Sequence, residues 1–267
     1  MKKLFAMLLA TVMCVASLAA CGSSASSESN ASSKSEAGAE NAAEDNVLVV
    51  GTNAAFPPFE YVGDDGQPDG FDIALIKAVA EKLGMEVEVQ DMEFESLVTA
   101  IGSKIDAAIA GMTITEERLE VVDFSDPYYD AVQFVIVPKG SEIKKADDLK
   151  NKNIGVQLGT TGNIIADEIE GATVKSYNKG VDAVNDLING RVDCVIIDKN
   201  PAMVFTEKFS DKLEAIDGAE FEFETEQYAI ALPKGSDLVA KVNQALVEMK
   251  ADGTFDALVA KYIEGEE

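Results

Sequence analysis

The chain has 267 residues, with 48 acidic side chains against 22 basic ones, a formal charge of -26, no His and no Trp. Nucleic-acid affinity rests on Lys and Arg neutralising phosphates, so this charge excludes DNA and RNA as partners. Without His there is no Ser-His-Asp triad, Cys-His dyad or imidazole ligand for zinc, and neither a metal nor a cofactor is expected.

The N-terminus opens with Lys2 and Lys3, runs almost wholly apolar from Leu4 to Val15, and ends in Ser17-Leu18-Ala19-Ala20-Cys21, the layout of a secretory signal over residues 1–20. Leu18 to Cys21 resembles the bacterial lipobox, which implies cleavage before Cys21 and lipid on that cysteine. A plain secretory signal with an incidental cysteine is the alternative. Several acyl chains, at about 0.8 kcal/mol per buried methylene, would hold the protein to a membrane. Cys14 leaves with the signal, so Cys194 has no disulfide partner, and its setting in Val192 to Ile197 reads as a core position.

Gly22 to Asn46 holds eight Ser, six Ala and five acidic residues and nothing apolar larger than Ala. Such a segment buries too little surface to offset the entropy of ordering, so residues 21–46 read as a disordered tether. Its r.m.s. span is roughly 25 to 30 Å.

From Val47 the pattern alternates strand and helix. Val47 to Val50 reads as a buried strand. Asp72 reads as the N-cap of a helix striped by Ile73, Ile76, Val79 and Leu83, with Gly84 closing it. Val87 and Val89 alternate as a strand, Glu95 to Ser103 reads as a helix, and Ile105 to Ala110 as a buried strand. The second half repeats the order: strand Asn153 to Val156, a Gly-Thr turn at Leu158 to Gly162, helix Asn163 to Glu170, strand Thr173 to Ser176, helix Val181 to Asn189, and the Cys194 strand. Helices Asp237 to Ala251 and Phe255 to Ile263 follow, the first with a core stripe of Val239, Val242, Leu246 and Met249. This order predicts an α/β fold with parallel sheets. Ile101 to Ile109 also matches Ile188 to Ile196 at a constant offset of 87 positions, each a helix end, a basic residue, an Asp and a strand, which supports two lobes.

Ligands of open α/β sheets bind beyond the carboxyl ends of the strands. The residues there are Asn53, Phe56, Phe59, Phe94, Gly111, Met112, Thr113, Arg118, Gly159, Thr160, Thr161 and Asp198. They offer aromatic faces, hydroxyls, amides, one Arg and one Asp, but no nucleophile-base pair, a set suited to a small zwitterion. Each has a plainer alternative: Arg118 as a solvated helix residue, Asp198 as a helix cap, Phe56 and Phe94 as core, and Gly159 to Gly162 as a simple turn.

The runs Gly51 to Tyr61, Gly70 to Leu75, Gly111 to Arg118 and Asp123 to Tyr129, with Gly159-Thr160-Thr161 and Ile197-Asp198, together resemble the polar amino-acid-binding proteins of ABC importers, the bacterial extracellular solute-binding proteins of family 3. The resemblance spans about Val47 to Tyr262. It implies a two-lobed periplasmic-binding-protein fold with two crossover hinge strands, lobe 1 being 47–129 plus 228–267 and lobe 2 being 130–227. It further implies that Arg118 holds the ligand carboxylate with the backbone or hydroxyls of Gly111, Thr113 and Thr161. Asp198 and the Gly111 carbonyl would hold the ammonium, and Phe56 and Phe94 would sandwich the side chain.

The expected function is capture of a polar L-amino acid by a monomer that passes it to permease and ATPase subunits, from a lipid-anchored position on the outer face of the cell membrane or in a periplasm. Where the family often has Asp the chain has Asn53, and Gln157 is also neutral, so an uncharged ligand such as glutamine is expected ahead of Arg, Lys or His. A basic ligand stays close behind, since Glu60 would supply the missing carboxylate if it points inward and the chain also resembles arginine- and lysine-binding members. A dehydratase-like enzyme on this scaffold would need a general acid-base pair, and Glu60 has no partner base. A sensor module would need a transmembrane helix and a signalling domain, which are not expected after Glu267.

Overall fold

The computed structural model describes residues 46–265; the signal segment, Cys21 and the tether up to residue 45 lie outside the described residues. The first half carries β1 (Val47–Thr52), β2 (Ala55–Phe56), β3 (Glu60–Val62), β4 (Pro68–Asp69), α1 (Phe71–Leu83), β5 (Glu86–Asp91), α2 (Phe94–Ala100), β6 (Ala107–Ala108), α3 (Glu116–Val121) and β7 (Val122–Phe124). After β8 (Tyr129–Pro138) come β9 (Asn153–Gln157), α4 (Thr161–Glu168), β10 (Thr173–Tyr177), α5 (Gly180–Ile188), β11 (Cys194–Asp198), α6 (Lys199–Lys208) and β12 (Leu213–Ile216). The chain then runs through β13 (Thr225–Tyr228), β14 (Ala231–Pro233), α7 (Leu238–Asp252) and α8 (Thr254–Val259).

Two sheets with helices packed against them form two α/β lobes. Their strand orders are β5-β1-β6-β14-β7 and β10-β9-β11-β8-β12, with β13 paired to β8. The chain passes from the first sheet to the second along β8 and returns along β13, the two running antiparallel with Tyr228 opposite Tyr129. The short strands β2, β3 and β4 form a separate antiparallel sheet.

Three strands of each lobe are parallel, as predicted, but neither sheet is wholly so: β14 is antiparallel to β6 and β7, and β8 is antiparallel to β11 and β12. Both exceptions are segments by which the chain enters a sheet from the neighbouring lobe, so no helical crossover restores their direction.

The 87-residue correspondence has a structural counterpart. The Asp106 carboxylate accepts from the Val49 amide at 2.9 Å, and the Asp193 carboxylate accepts from the Asn153 amide at 2.7 Å. Each Asp amide donates back to the carbonyl of that same strand residue, so the equivalent Asp ties the third strand of each lobe to its first.

Asp72 is not the N-cap of α1. Gly70 holds that position and Asp72 is fully buried, because α1 starts two residues earlier, at Phe71, and its first turn aims the carboxylate at the Gly111 amide and the Tyr128 hydroxyl. Gly84 closes α1 in a left-handed conformation, as predicted. Helix α2 begins at Phe94 and stops at Ala100, where the chain turns through Gly102, so it is shorter than expected at its C-terminal end. The paired part of β6 is two residues rather than six, although Ile105 and Ala107 to Ala110 are all buried. Val242, Leu246 and Met249 of α7 face the core, and Cys194 is free and buried, its thiol pushed up to about 12 by burial. No described helix is long and apolar enough to cross a membrane.

Candidate functional site

A small cavity lies between the lobes at the carboxyl ends of β1, β6, β9 and β11. Asn53, Phe56, Glu60, Phe94, Gly111, Thr113, Arg118, Gln157, Thr160, Thr161 and Asp198 all line it, joined by Ala110. Phe59 and Met112, also singled out after strands, are instead fully buried in the core.

Arg118 is not a solvated helix residue. The short α3, capped by the Thr115 side chain on the Arg118 amide at 3.2 Å, turns its guanidinium into the cavity, leaving it 9% exposed. Nη1 donates to the Thr113 carbonyl at 2.6 Å, and Nη2 donates to the Gly159 carbonyl of the other lobe at 3.0 Å. A guanidinium has five N–H donors, so others remain for a ligand. Burial lowers its pKa, opposed by the charges of Glu226 and Asp198. The guanidinium carbon lies 5.3 Å from the Phe94 ring centroid, so Phe94 supports Arg118 as well as lining the cavity.

Asp198 follows β11 and sits at the N-cap position of α6, but its side chain makes no capping bond. It accepts instead from the Tyr228 hydroxyl, and burial, then the Glu226 charge, raises its pKa. A ligand ammonium beside it would favour the ionised form.

Gly111 has φ 51°, and a Cβ there would meet the Phe56 ring at 3.0 Å, so glycine is required by both conformation and space. Its amide already donates to Asp72 at 2.7 Å and is not free for a ligand carboxylate. Thr160 caps α4, accepting from the Asn163 amide at 3.3 Å and donating to the Gln157 carbonyl at 2.8 Å. The Gly-Thr turn is thus the N-terminus of a helix facing the cavity, one of its two readings.

Asn53 and Gln157 are paired across the lobes: Gln157 Nε2 donates to Asn53 Oδ1 at 2.9 Å, and Asn53 Nδ2 donates to the Met92 carbonyl at 2.7 Å. One of the two N–H donors of each amide is therefore used within the protein. Among the residues lining the cavity, the Gln157 carbonyl oxygen and both Glu60 oxygens are buried without a hydrogen-bond partner. Glu60 points inward and is 1% exposed. Burial raises its pKa well above the usual carboxylate range, and the neighbouring Asp72 charge raises it further. Asp72 is itself raised by burial to about 6 and accepts from Gly111 and, at 2.8 Å, from the Tyr128 hydroxyl.

Sequence reasoning missed Asp72, Tyr128, Tyr228 and Glu226. Asp72 reads as a cap by its place before an apolar stripe, and neither tyrosine follows a strand of the predicted sheets. Glu226 lies in Thr225-Glu226-Gln227, which carries no periodic signal; its Oε2 accepts from the hydroxyls of Thr113 and Thr161, each at 2.6 Å.

The family model for bacterial extracellular solute-binding proteins, family 3, matches residues 48–265. The arginine-binding extracellular protein ArtP of Bacillus subtilis (strain 168) is 40% identical over 223 residues, covering 82% of this chain and 87% of that protein. The L-cystine-binding protein TcyJ of Escherichia coli (strain K12) is 36% identical over 224 residues, covering 82% and 83%. Among solved structures, an ancestral arginine-binding protein bound to arginine superposes with a TM-score of 0.77 at 42% identity, covering 82% of this chain and 98% of that one. A family model matched from β1 to beyond α8, relatives above 30% identity over most of both chains, and the same two-sheet fold around an interlobe cavity agree, and the chain belongs to the bacterial extracellular solute-binding proteins, family 3.

Proposed function

We propose that the protein captures a basic L-amino acid, arginine foremost, between its lobes and delivers it to the permease and ATPase subunits of an ABC importer. The observation that carries the choice of ligand is the set of unpartnered cavity oxygens, two on Glu60 and one on Gln157. All three accept hydrogen bonds, and a guanidinium supplies only donors. A buried cation needs a paired carboxylate, and Glu60 supplies one. The arginine named for ArtP and for the solved ancestral protein agrees with this reading.

In this reading the free N–H groups of Arg118 fork the ligand carboxylate, with the Thr113 and Thr161 amides beside it. Asp198 and the Gly111 carbonyl take the ammonium, Phe56 and Phe94 flank the aliphatic stem, and Thr160 positions the α4 terminus. The lobes are 47–129 with 228–267, and 130–227, with β8 and β13 as hinges. Capture bridges the lobes and favours the closed state by contacts absent when open. The extracellular family fits export under the signal at 1–20, and lipid on Cys21 with the tether of residues 21–46 would hold a monomer at the membrane. A polar uncharged ligand such as glutamine is the second reading, supported by the neutral amides of Asn53 and Gln157 in the cavity.

A thermal-shift and calorimetric panel of the twenty L-amino acids decides between them. Arginine or lysine is expected to bind tightest; a ligand at 100 times its Kd adds about 2.7 kcal/mol of stability. Tighter binding of glutamine, asparagine or serine would reverse the choice, and no binding by any of the twenty would end the proposal.

A further inference from the structure

We propose that Glu226 is a latch of the closed state, a hinge-strand carboxylate that takes one hydroxyl from each lobe and so sets affinity without touching the ligand's side chain. Thr113 follows β6 of the first sheet and Thr161 opens α4 on the second, yet both donate to the same Glu226 oxygen at 2.6 Å. Glu226 stands on β13, paired with Ala131 of β8, so the latch is mounted on the two segments that connect the lobes. The Thr113 segment is held against this strand, since the Ile114 amide donates to the Gln227 carbonyl at 2.9 Å. Gln133 Nε2 donates to the Thr161 hydroxyl oxygen at 3.2 Å, which leaves the Thr161 proton for Glu226.

A threonine hydroxyl has a single proton to donate. With both protons on Glu226, neither hydroxyl donates to a ligand carboxylate in the closed form, and the two threonines bridge the lobes instead. Opening the lobes would separate Thr113 from Thr161, and Glu226 would keep at most one of them. The two bonds are therefore counted fully only in the closed state. Stabilising the binding-competent state raises apparent affinity by the factor by which its population rises.

The inference rests on amino-acid capture for its affinity arm, but not for its conformational arm. The radius of gyration of the full-length protein, with and without saturating arginine, is measured by X-ray scattering for the native chain, Glu226→Gln, Glu226→Ala, Thr113→Val and Thr161→Val, with arginine affinity and dissociation rate in parallel. Glu226→Ala is expected to expand the protein measured without arginine, weaken arginine at least tenfold and speed its release. Glu226→Gln, isosteric and still able to accept, should lie between. The loss in Glu226→Ala with Thr161→Val should fall well short of additive. Unchanged dimensions with additive losses would overturn the latch. So would tighter arginine binding in Glu226→Ala, which would make Glu226 a competitor of the ligand carboxylate. If Glu226→Ala does not fold, Glu226→Gln against Thr161→Val decides by the same additivity. If no amino acid binds, the scattering comparison without arginine still decides the latch.

Discussion

Replacing Glu60 by Gln keeps the shape of the side chain, removes its charge and leaves one acceptor in the cavity. Glu60 lines the cavity with neither oxygen hydrogen-bonded, and burial together with the Asp72 charge favours its protonated form. A guanidinium bound there would draw that proton off and form charge-assisted hydrogen bonds, each contributing about 1.5 to 3 kcal/mol. Since about 1.4 kcal/mol is tenfold in affinity, Glu60→Gln should weaken arginine by about tenfold to a hundredfold and alter glutamine little. The sign with pH follows from the raised pKa values. Glu60 lies well above the usual range and Asp72 at about 6, and a bound cation lowers both. Arginine affinity is therefore full above the raised Glu60 value and declines as pH falls below it, with a proton released on binding. Calorimetry in two buffers of different ionisation enthalpy, from pH 5 to 8, measures both quantities, and Glu60→Gln should flatten the pH dependence. Arginine weakened less than threefold, with no buffer-dependent heat in the native protein, would refute the assignment of Glu60 as counter-charge.

Arg118→Ala should weaken any amino-acid ligand by well over tenfold while leaving secondary structure intact by circular dichroism, and Lys should not restore binding because it lacks the planar fork. Without ligand, the raised Glu60, Asp72 and Asp198 make the folded state bind more protons than the unfolded one, so their burial costs stability above their raised values. The melting temperature without ligand should accordingly rise as pH is lowered from 7.5 to 5.5, and saturating arginine should reduce or reverse that slope. Cys21→Ser should release the protein from the membrane fraction or leave its uncleaved precursor there, and should abolish labelling by a fatty-acid probe.

The alternation of strands and helices is legible because long elements such as α1 and α7 repeat their apolar residues at helical spacing, and buried strands such as β1 and β11 are dense in β-branched residues. Two- and three-residue strands have no period to read, which is why the antiparallel place of β14 escapes prediction. The cavity residues emerge from motif resemblance more than from chemistry, since Arg118 among neighbouring glutamates looks solvated until α3 turns it inward. Asp72 and Glu226 are illegible for another reason. Their partners lie 39 and 56 residues away for Asp72, and 113 and 65 away for Glu226, so only the assembled fold defines what each carboxylate does.

The place of β14 imposes an order on assembly. This strand lies between β6 and β7 in the first sheet, although it is contributed by Ala231–Pro233, after the whole of the second lobe. A chain threaded through a membrane from its N-terminus presents β1, β5, β6 and β7 early, but they cannot form a continuous sheet until more than one hundred further residues have emerged. The second lobe has all five strands of its principal path within the continuous stretch from β8 to β12 and can close while the first waits with β6 unpaired on one side and β7 without its neighbouring strand. Loop closure over that interval makes the first lobe the slower of the two. A chain stalled before Ala231 therefore exposes sheet edges in the lobe nearest its N-terminus, where proteases and aggregation would act first.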